Sequence, residues 1–106
     1  LTKKISTIVF DEIDSGVSGP IAEKLGFFMK EIAKEQQIIA ITHLPQIASI
    51  SDDHYKVFKN ELGDEKIETK INLLDNKNRV LELARLLSGK EITNEAIANA
   101  KKMLNI

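Results

Sequence analysis

An α/β fold built on parallel strands is the architecture this sequence predicts. Three observations carry it: two nearly all-apolar runs, an amphipathic stretch between them, and a change further on to alternating and then helical patterning. The first run is Ser6-Thr7-Ile8-Val9-Phe10-Asp11-Glu12. Its β-branched and aromatic residues suit a strand covered on both faces, and it ends in two adjacent carboxylates. Ile13-Asp14-Ser15-Gly16-Val17-Ser18-Gly19-Pro20 follows as a loop that leads into a helix, with Pro20 at the first helical position. The helix is expected to run to about residue 35, with Ile21, Leu25, Phe28 and Ile32 as its apolar stripe. Gln37-Ile38-Ile39-Ala40-Ile41-Thr42-His43 then predicts a second strand buried on both faces. A covering helix between two such strands makes a β-α-β unit, whose strands run parallel.

A short helix over residues 44–51 is compatible with Pro45, because proline is tolerated in a first turn. Residues 54–59 and 66–73 alternate in strand fashion around a polar turn containing Gly63-Asp64, which predicts a hairpin with one solvated face. A helix over residues 76–88 carries Val80, Leu83, Ala84 and Leu87 on one side and meets Gly89 as its stop. Thr93 caps a last helix. Ile92 and Ile97 occupy the two positions of a hydrophobic staple, and Ile97, Ala100 and Leu104 continue its apolar stripe.

The chain of 106 residues suffices for one compact domain, and its 42% hydrophobic content argues against disorder. Aromatics make up 5%, so aliphatic side chains must build the core. With Lys+Arg 15 against Asp+Glu 16 and a net charge of −1, there is no global basic field for nucleic acid. The absence of cysteine excludes disulfides and thiolate metal sites, and no signal-peptide core follows Leu1, so a cytoplasmic location is the default expectation. No run approaches the roughly 18 apolar residues of a membrane-spanning helix, so no membrane partner is expected. A sequence that lacks an initiator Met and enters a core strand almost at once predicts a piece of a longer protein.

The chemistry concentrates at the ends of the two apolar strands. Carboxylates at a strand's C-terminal tip lie where open α/β sheets bind ligands, and one right-handed crossover brings the tip at His43 near the tip at Asp11 and Glu12. In a nucleotide hydrolase, the first acid helps to hold Mg²⁺ beside the phosphates and the second polarises the attacking water. An imidazole at the neighbouring tip donates a hydrogen bond to a γ-phosphate oxygen. Singly, each feature has a plain reading as a solvated strand end, a cap or a structural histidine. The combination favours chemistry.

Ile8-Val9-Phe10-Asp11-Glu12 resembles the Walker B segment of ATP-binding-cassette ATPases, residues 14–19 occupy the place of their D-loop, and Ile41-Thr42-His43 resembles their switch histidine. The runs Phe-Asp-Glu-Ile-Asp-Ser-Gly-Val-Ser-Gly, Ile-Thr-His-Leu-Pro-Gln-Ile-Ala and Ala-Arg-Leu-Leu-Ser-Gly-Lys-Glu-Ile-Thr are similar to the C-terminal end of the SMC-like DNA-repair ATPases, and the likeness covers nearly the whole chain. It implies part of a P-loop NTPase head of the ABC/SMC type, residues 1–106 being its C-terminal portion. It further implies that Asp11 supports Mg²⁺ with ATP, that Glu12 is the catalytic carboxylate and that His43 contacts the γ-phosphate. Asp14, Ser15, Gly16, Val17 and Ser18 would lie at the interface with a second head that sandwiches ATP. Ser18 departs from the family, since many transporter-type cassettes end this loop in aspartate. The implied setting is double-strand-break repair and recombination on DNA, in the cytoplasm and associated with the nucleoid.

The sequence has neither a Gly-x-x-x-x-Gly-Lys-Ser/Thr loop nor a Ser-Gly-Gly signature segment. Phosphoryl transfer needs positioning and charge stabilisation together, so these 106 residues alone are expected neither to hydrolyse ATP usefully nor to bind it tightly. Stoichiometric ATP binding by the isolated chain would contradict that.

Three other readings compete. A helicase acidic box at Asp11-Glu12-Ile13-Asp14 would need arginine fingers, whereas Arg79 and Arg85 sit in a late amphipathic helix suited to solvated or salt-bridged roles. An adaptor would use the hairpin and last helices as a docking surface. Lys56, Lys59, Lys66 and Lys70 could form a phosphate-binding stripe, but Glu61, Asp64, Glu65 and Glu68 interleave with them, as on a solvated hairpin. A metal cluster of His43, Asp52, Asp53 and His54 lacks zinc-type spacing, and Asp52-Asp53 reads better as a turn.

Overall fold

The computed structural model describes residues 6–11, 17 and 19–106. Glu12, Asp14, Ser15, Gly16 and Ser18 lie outside the described residues. Strand β1 (Thr7–Asp11) pairs in parallel with β2 (Gln37–Ile41), from Thr7 opposite Gln37 to Asp11 opposite Ile41, and helix α1 (Gly19–Ile32) lies between them in sequence. This is the predicted β-α-β unit. The expectation that both strands are buried on both faces does not hold, because exposure alternates along each: Val9 is 58%, Ile39 45% and Ile41 54% exposed. A parallel sheet needs cover on each face, and among the described residues this sheet has two strands while α1 packs chiefly on the following helix.

Helix α1 also turns a different face inward. Its expected stripe began at Ile21 and Leu25, yet Ala22, Gly26 and Met29 are the buried residues, while Ile21 is 62% and Phe28 60% exposed. The buried set is rotated by one residue, about 100° around the axis. The cause is the close approach of α2 (Pro45–Ala48): a Cβ on Gly26 would stand 2.6 Å from Ile50 Cδ1 and 3.2 Å from the carbonyl oxygen of Gln46. Only the small-residue face of α1 admits that backbone. The helix ends at Ile32, short of residue 35, as bonds from Lys34 N to Glu31 O and from Glu35 N to Ile32 O tighten the chain into a turn.

Strands β3 (Tyr55–Glu61) and β4 (Ile67–Leu73) form the antiparallel hairpin. Gly63, at φ 110°, and Glu65, at φ 69°, make the turn, closed by a 2.9 Å bond from Leu62 N to Lys66 O. The solvated face is not simply polar. Tyr55, Val57, Ile67, Ile71 and Leu73 are all exposed, and by register Tyr55 lies opposite Leu73 and Val57 opposite Ile71, so the apolar set shares one side.

Helix α3 (Asn76–Ser88) has the predicted bounds. The Asp75 carboxylate accepts from Asn78 N at 2.8 Å, and Gly89 at φ 84° stops it. In α4 (Asn94–Leu104), the Thr93 hydroxyl accepts from Ala96 N at 3.0 Å. Ile97 packs on the core, but Ile92 is 44% exposed, so the proposed staple leaves one partner largely in solvent. The core joins α2, α3 and α4 through Ala48, Val80, Leu83, Ala84, Ala96 and Ala100. Its four alanines let the helices come close, with Leu83 completely enclosed between them.

Candidate functional site

Parallel pairing places the C-terminal ends of β1 and β2 at one edge of the sheet. Asp11 closes β1 opposite Ile41, and His43 follows two residues later, both exposed. The turn that carries His43 is well defined. The Thr42 hydroxyl accepts from Leu44 N at 3.0 Å, and Pro45 then enters α2 at its first position with its ring buried. Of the expected site residues, the structure therefore brings Asp11 and His43 to one edge. Glu12 follows Asp11 directly in the chain but, like Asp14, Ser15, Gly16 and Ser18, lies outside the described residues.

Arg79 fastens this region from behind. Its Nη2 donates to the carbonyl oxygens of Ala48 at 3.1 Å and Ser49 at 3.3 Å, to that of Ser51, and to Ser51 Oγ at 3.1 Å. One guanidinium thus caps the C-terminal end of α2 and ties it to α3. Composition and periodicity suggested a solvated or ion-paired arginine here. No local pattern points to a cap made by a residue about thirty positions downstream. Burial lowers the Arg79 pKa, partly offset by Asp53 and Asp52, and the group remains charged. Burial and then Arg79 also hold the His54 imidazole below its ordinary range, against an opposing effect of Glu82, so His54 is neutral near pH 7.

Arg79→Ala should strip the partners from these partly buried carbonyls and cost about 2 kcal/mol locally. Amide exchange over residues 45–51 checks this. Arg79→Lys should recover only part, because an ammonium lacks the planar fork.

Farther along α3, Glu82 is 8% exposed and holds two cations: a forked Arg85 and, at 3.0 Å, Lys56 of β3. The Arg85 hydrogen bond, opposed by desolvation and helped by Lys56, keeps the Glu82 carboxyl below its ordinary range. Lys56 is therefore spent on fastening the hairpin to α3. Beyond this pair, the C-terminal end of α3 and its turn lie beside His43, where His43, Arg85, Leu86, Gly89 and Lys90 line an open depression of about 440 Å³.

Among the described residues no group of three or more His, Cys, Asp or Glu side chains is placed to hold a metal, so His43, Asp52, Asp53 and His54 make no such cluster. The donor set at the strand edge suits a nucleotide in part: a carboxylate oxygen is a hard ligand for Mg²⁺, and an imidazole among cationic side chains suits phosphate oxygens. Among the described residues no helix is long and apolar enough to cross a membrane.

No protein-family model matches the chain. It is 42% identical over 102 residues to the DNA repair protein RecN of Haemophilus influenzae, and 39% identical over 105 residues to that of Vibrio cholerae. Each match covers 96% of this chain, but 18% and 19% respectively of the relative. RecN of Rickettsia conorii is 42% identical over 94% of the chain. The chain thus spans about a fifth of the length of the curated relatives it matches. A solved structure from "Structural biochemistry of ATP-driven dimerization and DNA stimulated activation of SMC ATPases" superposes with a TM-score of 0.63 at 21% identity, over 80% of this chain and 50% of that one.

Proposed function

We propose, from the premise that this chain is a RecN-type segment with the fold of an SMC ATPase head, that it supplies one half of an ATP site in a DNA-repair ATPase. The observation that carries this reading is the register of the parallel pair, which puts Asp11 and the His43 turn at one sheet edge. All 106 residues belong, on this reading, to the C-terminal portion of one head. The phosphate loop and signature segment come from outside this sequence.

Asp11 would hold Mg²⁺ with the nucleotide, and the metal supplies neutralisation of phosphate charge when bound. Glu12 takes a proton from the attacking water, and His43 donates to the γ-phosphate. Asp14, Ser15, Gly16 and Ser18 form the contact with a second head. ATP closes the two heads, hydrolysis releases them, and the cycle changes how the full-length protein holds DNA during double-strand-break repair and recombination at the nucleoid. The test is Mg²⁺-ATP binding and turnover by the full-length protein beside Glu12→Gln, with and without DNA.

The adaptor reading rests on exposed apolar surface such as Tyr55 and Ile71. Relatives about five times longer than this chain leave that exposure without independent weight.

A further inference from the structure

We propose that Lys90 is a second contact for the terminal phosphate of a nucleoside triphosphate, reaching the site from the turn after α3. The inference rests on the nucleotide reading above and extends it to a residue outside the strand-edge motifs.

His43 shares its depression with Arg85, Leu86, Gly89 and Lys90, and among the described residues no carboxylate lines it. The two cations there are not equivalent. The charge of Arg85 is balanced by its forked pair with Glu82, whereas Lys90 has no ion pair among the described residues. Among the described residues, Lys90 is thus the cation beside the histidine that no carboxylate balances.

Its backbone is also held in place. Gly89 ends α3 at φ 84°, its N–H bonded to Arg85 O at 2.9 Å, and the Ser88 hydroxyl bonds to Ala84 O at 2.8 Å and to Glu91 O. Lys90 lies inside that pinned turn. A flexible four-carbon stem on a fixed base can follow a phosphate oxygen, and an ammonium facing an oxyanion makes a strong charge-assisted bond. The chemistry selects a triphosphate over a diphosphate, because His43 marks where the last phosphate would lie.

The experiment compares full-length wild type with Lys90→Gln, Lys90→Arg and, as a control on exposed α4, Lys101→Gln. Dissociation constants for ATP and ADP are measured with Mg²⁺ by displacement of a fluorescent nucleotide, together with DNA affinity and thermal midpoint. Lys90→Gln is expected to weaken ATP about tenfold and ADP less than about twofold at an unchanged midpoint. Lys90→Arg should retain most of the preference, and Lys101→Gln should match wild type. An unaltered ATP-to-ADP ratio overturns the inference, as does a loss of DNA affinity with ATP binding intact, since the phosphate contacted would then be the nucleic acid's. If Glu12→Gln binds ATP without turning it over while Lys90→Gln leaves the ratio unaltered, only this inference fails. A full-length wild type that binds no ATP removes the nucleotide reading and this inference together.

Discussion

Glu12→Gln in the full-length protein is expected to leave Mg²⁺-ATP bound and to reduce turnover at least about 100-fold, the usual contribution of a positioned general base. The amide keeps the shape of the carboxylate and can still hydrogen-bond to a water. It cannot take up the proton that the attacking water must lose. On the proposed reading, binding survives because the metal-ligand role assigned to Asp11 and the γ-phosphate contact assigned to His43 are untouched, so the loss falls on turnover rather than on affinity. ATP binding by equilibrium titration and phosphate release at saturating nucleotide separate the two quantities. DNA should raise the wild-type rate more than that of the mutant if it acts on the hydrolytic step. Unchanged turnover would make the acidic strand end structural and bring the adaptor reading forward.

The second large effect is on stability. Leu83→Ala should destabilise the α2–α3–α4 cluster by about 3–5 kcal/mol, the upper part of the range for buried leucines. Leu83 is fully enclosed in a cluster otherwise made of Val80, Ala48, Ala84, Ala96 and Ala100, so the space it vacates could be filled only by movement of the partly buried Leu86, Leu87, Ile97 and Leu104 packed against that cluster. Incomplete refilling leaves a cavity and its cost. Amide exchange in the full-length protein is the suitable measurement, because it reports the local opening of α3 and α4 rather than one midpoint for a long chain. Leu83→Met, which conserves volume, should cost less than about 1.5 kcal/mol. Ala48 belongs to both this cluster and α2, so the damage should spread to the His43 turn and appear as added exchange over residues 42–49.

Much of the local structure was legible in the chain. Helix α3 occupies residues 76–88 as its periodicity and Gly89 predict, Thr93 caps α4, and the strands at residues 7–11 and 37–41 pair in parallel. These features depend on contacts within a few residues or on a well-defined crossover rule. Burial of β1 and β2 was overestimated because an apolar run records what a strand is suited to, not whether its covering layers lie within the same 106 residues.

At the candidate site, the sequence marked Asp11 and His43, and the parallel register joined them. It did not mark Arg79 as a cap on α2, Glu82 as the anchor shared by Lys56 and Arg85, or Lys90 as a neighbour of His43. Apart from the local Glu82–Arg85 pair, such roles join residues more than twenty-five positions apart, and nothing in local composition encodes the distance between them. The sequence by itself determined the element types, most of their boundaries to within a few residues, the acidic end of β1 at Asp11 and a histidine just past the end of β2, which stops at Ile41 and not at the expected His43, because each follows from short-range backbone preference and periodicity. Only the tertiary structure decided which face of α1 is buried and which cations, among the described residues, are paired with a carboxylate. The first depends on how closely the α2 backbone approaches Gly26, the second on which carboxylate comes to face each cation, as Glu82 of α3 faces Lys56 of β3.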